Sequence, residues 1–232
     1  MNWSAKWEVF LKALNIERFQ ADLRLGLINT VKVAVLGLII GILIGSVIAI
    51  IKVSPKNKAT SVLGKICDVY VALFRGTPMV VQLLIGYFVL FPALNILLPG
   101  VIIAIIIFGL NSAAYVSEMM RSGIQSVDSG QLEAARALGM PYYMAMMKIV
   151  IPQSIKNILP TLGNEFIVLV KDTSIVSFIA VVDLTKAFKS IGDATYEYIV
   201  PYLFLALVYL ILVLGITLLV RIMERRLKKS ER

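Results

Sequence analysis

The sequence predicts an all-α integral membrane protein with five transmembrane helices. Of its 232 residues, 59% are hydrophobic and only 16% charged, a composition that places the chain in the membrane class. Five stretches, about 27–51, 79–98, 100–120, 155–171 and 200–220, approach the roughly 20 apolar residues that a helix needs to cross a bilayer. The basic residues gather between these stretches: those at 52–78, 121–156 and 221–232 hold 15 of the 23 Lys and Arg. The net charge of +9 is therefore read as a mark of cytoplasmic loops and not of a nucleic-acid partner.

Residues 1–24 do not form a signal peptide, because charges recur at Lys6, Glu8, Lys12, Glu17 and Arg18 and no uninterrupted apolar core exists. Trp3, Trp7, Phe10, Leu11 and Leu14 recur at helical spacing, which predicts an amphipathic helix lying in the lipid interface. In the first span, Asn29, Thr30 and Lys32 lie near its outer end, where Lys32 snorkels and Asn29 and Thr30 are candidates to bridge helices. The second span is expected to start at Thr77-Pro78, with Thr77 as N-cap and Pro78 in the first turn. It joins the third in a tight hairpin at Pro99-Gly100. The fourth span is the weakest, holding Pro160, Gly163, Glu165 and Lys171, and the fifth opens after Pro201.

Orientation follows the basic residues: the stretches at 52–78, 121–156 and the tail 223–232 face the cytoplasm, and the N-terminus lies outside. The 172–199 loop is then external. Its apolar middle is too short to span, and Lys186, Lys189, Asp193 and Glu197 are candidates to meet an external partner.

The cytoplasmic loop 121–156 holds the most informative stretch, EAARALGMPYYMAMMKIVIP at 133–152. Helix formers run from Gln131 to Leu138, Gly139 supplies a left-handed C-cap, Pro141 restarts a helix, and Pro152 stops it. Met140, Met144 and Met147 fall at i, i+4 and i+7, a flexible apolar stripe suited to docking against another subunit or the chain's own helix ends.

Glu133-Ala134-Ala135, Gly139, Ile149, Ile151 and Pro152 resemble the signature of the ABC importer permeases, with Ile151 where that family often has Leu. LGLINTV (25–31), FRGTPMVVQL (74–83), the run 111–139 and GNEFIVLVKDTSIVSF (163–178) are similar to the polar amino-acid branch of the same family. The resemblance covers roughly 25–222 and implies the type I ABC importer permease fold for that domain. It also implies a multi-pass protein of a bacterial cell membrane, embedded in membrane lipid. Its implied partners are an ATP-binding ABC subunit, a second permease subunit in a dimer, with a homodimer favoured, and an extracytoplasmic amino-acid-binding protein. The implied cargo is a polar amino acid. Glu133, Ala134, Ala135 and Gly139 are the implied contacts to the ATPase.

The residues alone agree on one point. The chain has no G-x-x-x-x-G-K-[ST] loop, so ATP and Mg belong to a partner and no cofactor is expected in this chain. With no histidine and a single cysteine, Cys67, neither His/Cys metal sites nor histidine-based catalysis is available, and no metal is expected. The chain is not expected to be an enzyme.

Charges within spans are the candidate substrate contacts, each costing about 2.5–3.5 kcal/mol on insertion scales. An amino-acid zwitterion needs an anion for its ammonium and a cation for its carboxylate, which Glu165 and Lys171 offer, with Asn164 and Asp172 beside them. Six residues turn an ideal helix by about 600°, so Glu165 and Lys171 do not share a face. A structural ion pair or a contact with a neighbouring helix is the plainer reading of both. Asn111, Tyr115 and Glu118 form a polar stripe on the third span, with Asn111 the candidate pathway residue and Glu118 paired locally with Arg121. Two further classes stay open on the residues alone: an intramembrane enzyme using Glu165, Lys171 and Ser174, and an ion channel or secondary transporter. Neither requires a docking loop.

Overall fold

The structure, a computed structural model, describes residues 3–229, with side chains to residue 226. The last residues of the basic tail, 230–232, lie outside the described residues, as do Met1 and Asn2. Every regular element among the described residues is helical.

Helix α1 (Trp3–Leu14) breaks from α2 at Asn15-Ile16, where Asn15 Nδ2 donates to Leu11 O at 3.3 Å. α2 (Glu17–Val53) is 37 residues long, about 55 Å at 1.5 Å per residue, and exceeds a hydrocarbon core of about 30 Å. Residues 17–24, expected with the interfacial segment, therefore belong to the long helix. Ser54, held extended by Pro55, ends it.

Where the sequence reads a cytoplasmic loop at 52–78, the chain forms a helix, α3 (Lys58–Gly76), opened by a reciprocal capping box between Asn57 and Thr60 at 2.8 Å. Its buried Cys67 and Val71 pack with Ile48 of α2 and Ala114 further along, while Val62, Leu63, Ile66, Val69 and Leu73 remain exposed on the other side. The scattered lysines conceal this apolar surface from a hydropathy window.

α4 (Met79–Ala93) is bent by 107° from α3. Thr77 is not its N-cap: Thr77 closes α3, donating from Oγ1 to Leu73 O at 2.8 Å, and Pro78 occupies the cap position without a side-chain bond. Pro78 forces Thr77 into an extended conformation, which stops α3.

α5 (Gly100–Gln125) is the central helix, with 67% of its most apolar window buried. Gly37, Gly41 and Gly45 of α2 form a four-residue ladder against it. A β-carbon on Gly41 would stand 2.6 Å from Ser112 Oγ and 2.8 Å from Ser112 Cβ. Close backbone approach through small residues is how helices associate where lipid offers no hydrophobic drive.

α6 (Ser129–Ala137) starts with Asp128 capping Gly130 N at 2.8 Å and ends at Leu138-Gly139. Gly139 has φ +82°, and Met140 N donates to Ala135 O at 3.1 Å while Gly139 N donates to Arg136 O at 3.0 Å, a Schellman closure. Pro141 sits at the cap of α7 (Tyr142–Ala145), one position earlier than expected.

The helix does not stop at Pro152. A π turn (Met146–Val150) carries α7 into α8 (Ile151–Asp172), with Ile151 N donating to Met146 O. The same device precedes Pro92, where Phe91 N donates to Gly86 O after the π turn Gly86–Leu90. A proline clashes with the carbonyl four residues back and lacks its own donor. The wider turn absorbs both defects, so the helix passes through.

After α8 come a 3₁₀ turn (Thr173–Ile179), a left-handed Ala180 at φ 61°, and α9 (Leu184–Thr195), capped by Asp183. α10 (Ile199–Lys229) is the last helix among the described residues. α2, α5 and α10 are long and apolar enough to cross a membrane, and a fourth span arises if the bent pair α3–α4 crosses as one. α8 is less apolar than these helices, because Gln153, Lys156, Asn157, Asn164 and Glu165 interrupt it.

α1 departs from a free interfacial helix. Phe10 is only 1% exposed, in a cluster with Phe19, Phe188, Ile191 and Val200, and its ring lies 4.6 Å from that of Phe204. Trp3, Trp7 and Leu11 stay on the exposed side.

Candidate functional site

The polar face of α8 organises the site. Gln153, Asn157, Thr161, Asn164, Val168 and Lys171 are all exposed and follow one another at three- or four-residue steps, so they form a single stripe along the helix. Gly163 holds α8 against α10, where an added β-carbon would meet Val220 at 2.7 Å. Ile158 and Glu165 face inward, toward α5. A polar stripe on a buried-length helix is unfavourable against lipid, so it calls for water or another polar surface.

Glu165 lies one turn beyond Thr161, at the edge of that stripe, and is 5% exposed. Its neighbour across the interface is Ser112 of α5, the residue Gly41 packs against. No ion pair to Glu165 is formed among the described residues. Lys171, by contrast, is exposed on the stripe with Asn164, and Asp172 is half-buried. The structure therefore keeps Glu165 and Lys171 on different faces.

Asn111 is buried on α5, and its amide ties helices together: Nδ2 donates to Gln82 Oε1 at 2.9 Å and to Phe74 O at 3.4 Å. Gln82 in turn donates to Phe74 O, Thr77 O and Thr77 Oγ1 at 2.8, 3.0 and 2.8 Å. These bonds take up the carbonyls left free where α3 breaks into α4. Arg75 stacks 5.4 Å from the Tyr115 ring centroid.

Toward the other end of α5, Glu118 pairs with Arg121 as its spacing implies, Nη2 to Oε2 at 2.8 Å. It also accepts from Lys52 Nζ at 2.7 Å, and Lys52 reaches Asp68 Oδ1 at 2.8 Å. This four-charge network joins the ends of α2 and α5 to α3. Beside it a cavity of about 440 Å³ is lined by Glu118, Met119, Ser122, Ser126, Asn157 and Thr161, so the α8 stripe opens into it. The Lys52 contacts join residues far apart in sequence, and no local spacing announces them.

In the 121–156 segment, Glu133, Ala134 and Gly139 are exposed and Ala135 is buried. Leu138, Tyr143, Met144 and Met147 are exposed around the same bend, an apolar surface with no partner within the described chain. On the other side of the fold the charges expected to meet an external partner are engaged locally. Lys189 pairs with Asp193 at 2.7 Å, Lys6 with Glu197, and Lys186 Nζ donates to Ala180 O at 2.6 Å. Lys189 and the Tyr198 hydroxyl hold the Asp193 carboxyl below its ordinary pKa, and Lys6 does the same for Glu197.

Comparison with known proteins agrees with this layout. The sequence model of the family "Binding-protein-dependent transport system inner membrane component" matches residues 22–229. The chain is 41% identical over 206 residues to the arginine transport system permease protein ArtQ of Bacillus subtilis (strain 168), covering 89% of this chain and 92% of that one. It is 42% identical over 202 residues to the putative glutamine transport system permease protein GlnP of Rickettsia bellii (strain RML369-C), covering 87% and 91%. Among solved structures, the crystal structure of an amino acid ABC transporter with histidines superposes with a TM-score of 0.83 at 41% identity, covering 92% of this chain and 97% of that one. The inward-facing MetNI methionine ABC transporter shares the fold, with a TM-score of 0.75 at 18% identity. Matched over most of its length, the chain belongs to the family of binding-protein-dependent transport system inner membrane components.

Proposed function

We propose that this chain is the permease subunit of an ATP-driven polar amino-acid importer and forms one half of its translocation pathway. ATP hydrolysis belongs to a separate subunit, as the family organisation implies. The observation that carries the pathway reading is the α8 stripe with Glu165 at its edge: a polar face on a membrane helix that the chain's own fold leaves uncovered. A second copy presenting the same stripe would enclose a polar passage, and a homodimer is the simplest such assembly.

In this reading the chain crosses the membrane five times, through α2, the bent pair α3–α4, α5, α8 and α10, with the N-terminus outside and the C-terminus cytoplasmic. The basic-residue distribution supports that orientation. Glu165, a buried carboxylate without a cation, receives the substrate ammonium. Lys171, Asn164, Asp172 and the buried Asn111 shape the rest of the passage, with Lys171 addressing the substrate carboxylate from the stripe or from the facing copy. An extracytoplasmic binding protein delivers the amino acid. Glu133, Ala134, Ala135 and Gly139 position the bent loop whose exposed Leu138, Tyr143, Met144 and Met147 dock the ATPase. Nucleotide binding draws the two loops together and reorients the helices about the site, so the substrate is exposed to opposite sides in turn.

The test is uptake of radiolabelled arginine, lysine, histidine, glutamine and cystine by proteoliposomes holding the full complex, with Glu165→Gln beside wild type. Glu165→Gln should lower uptake at least tenfold while the complex still purifies intact. Unchanged uptake of every substrate would remove Glu165 from the pathway.

A further inference from the structure

The cavity beside Glu118 lies at the end of the bundle that carries the docking loop, and two elements line it. Glu118, Met119 and Ser122 of α5, with Ser126 just past its end, form one wall, and Asn157 and Thr161 of α8 form the other. Its volume of about 440 Å³ falls within the range of small-molecule sites, about 300–1,000 Å³. The two helices touch where a β-carbon added to Gly123 would collide with Ile158, and the cavity opens beside that contact, along the stripe. Thr161 stands four residues from Glu165, about 6 Å along the helix, and Asn157 is a further turn away. The cavity is therefore the next polar space along α8 from the buried Glu165.

The hydrogen bonds of the lining decide what it can receive. Thr161 Oγ1 commits its proton to Ile158 O at 2.7 Å, and Ser126 Oγ commits its own to Gly123 O at 2.7 Å. Asn157 Nδ2 donates to Ser126 Oγ at 2.9 Å, and its Oδ1 has no donor among the described residues. Glu118 Oε2 takes both Arg121 bonds, at 3.1 and 2.8 Å, while Oε1 accepts from Lys52 at 2.7 Å and keeps a lone pair. The lining is thus rich in acceptors and suits a ligand that brings N–H groups. Ser122 Oγ and the second amide proton of Asn157 are the donors left for a carboxylate. The charges around the cavity cancel, Lys52 and Arg121 against Glu118 and Asp68. A zwitterion with an ammonium group matches this wall better than an anion does.

We propose that Glu118, Ser122, Asn157 and Thr161 form a second station for the transported amino acid, which receives its α-ammonium after the substrate leaves Glu165. The proposal rests on the reading of α8 as a wall of the passage. Passage through a membrane needs sites favourable enough to enter and weak enough to leave, and several sites in line meet both demands. Glu165 has no cation beside it, whereas Glu118 is already shared by Lys52 and Arg121. Glu118 therefore holds an ammonium more weakly than Glu165 does, the order that release toward the docking-loop side requires.

The test is protection of an introduced thiol in the full complex, held in nanodiscs without nucleotide. Cys67→Ala removes the chain's one cysteine, and Ser122→Cys then places a thiol in the cavity. Maleimide labelling is followed by the mass of the permease chain, with arginine, lysine, histidine, glutamine or cystathionine, the last replacing thiol-reactive cystine. The amino acid that the transporter takes up should slow labelling about tenfold at about ten times its dissociation constant. Its N-acetyl derivative, which lacks the ammonium, should not slow it. Ser61→Cys, at the exposed start of α3, should label at one rate throughout. The slowing should persist when Glu165→Gln is added. Uptake of an amino acid that leaves Ser122→Cys labelling unchanged would overturn the second station and leave the passage reading standing. Slowing that vanishes with Glu165→Gln would overturn it as well, since the protection would then report Glu165 alone. Neither uptake nor slowing with any of the five would remove both readings. Should Ser122→Cys fail to assemble, Thr161→Cys on the facing wall takes its place.

Discussion

At Gly41 one hydrogen atom decides how closely two membrane helices approach. A leucine there would place its β-carbon 2.6 Å from Ser112 Oγ, with 3.2 Å to the Ser112 carbonyl carbon, so backbone as well as side chain would have to move. Overpacking of this kind costs about 1–3 kcal/mol. Gly41→Leu is therefore expected to lower the melting midpoint of the purified protein by several degrees. Gly64→Leu on α3, where an added β-carbon meets nothing within 4 Å, should leave the midpoint unchanged. Equal midpoints for the two variants would mean that the α2–α5 contact is not close. The four-residue spacing of Gly37, Gly41 and Gly45 is readable in the sequence, but a window that scores only hydropathy passes over it. The pairing of Glu118 with Arg121 is local and therefore legible; that of Lys52 with Glu118 joins distant segments and is not.

At the scale of elements, the π turn before Pro152 explains why that proline misled the expected boundary. Pro152 follows a widened turn that relieves the clash, so the helix continues where a propensity argument ends it. α3 was hidden for another reason: Lys58, Lys65, Asp68 and Arg75 break its apolar run, although Gly64, Cys67, Val71 and Phe74 share one helical face. The bend at Gly139, in contrast, was legible from its residue type, because φ +82° favours glycine. Nothing lies within 4 Å of a β-carbon added there, so a substitution acts through backbone strain alone, about 1–2 kcal/mol for a β-branched residue. Gly139→Val should leave the assembled transporter intact but sever uptake from ATP hydrolysis, whereas Gly139→Asn, tolerated in the left-handed region, should retain most of both. ATPase and uptake rates measured on the same proteoliposomes check this. Wild-type coupling in Gly139→Val would dismiss the bend as part of the docking loop.

At the scale of the whole molecule, the chain leaves three of its faces uncovered. α10 has none of its most apolar window buried, α3 exposes apolar side chains along one side, and α8 exposes a polar stripe. Lipid can cover the first two surfaces, but the third calls for a partner or water. Membrane class and the bend at Gly139 were readable because they rest on composition and local residue type. The division of α8 into an inward Glu165 and an outward Lys171 followed from helical geometry, whereas the contacts that surround Glu165 required the packing of α2 against α5. The most direct test of the account is ATP hydrolysis by the chain reconstituted with its ATPase and binding protein, with amino acids supplied one at a time. The account predicts that hydrolysis rises when the binding protein is loaded with a polar amino acid and that uptake rises with it. Uptake that proceeds without nucleotide on an ion gradient, or a complete complex whose hydrolysis ignores the loaded binding protein, would contradict it.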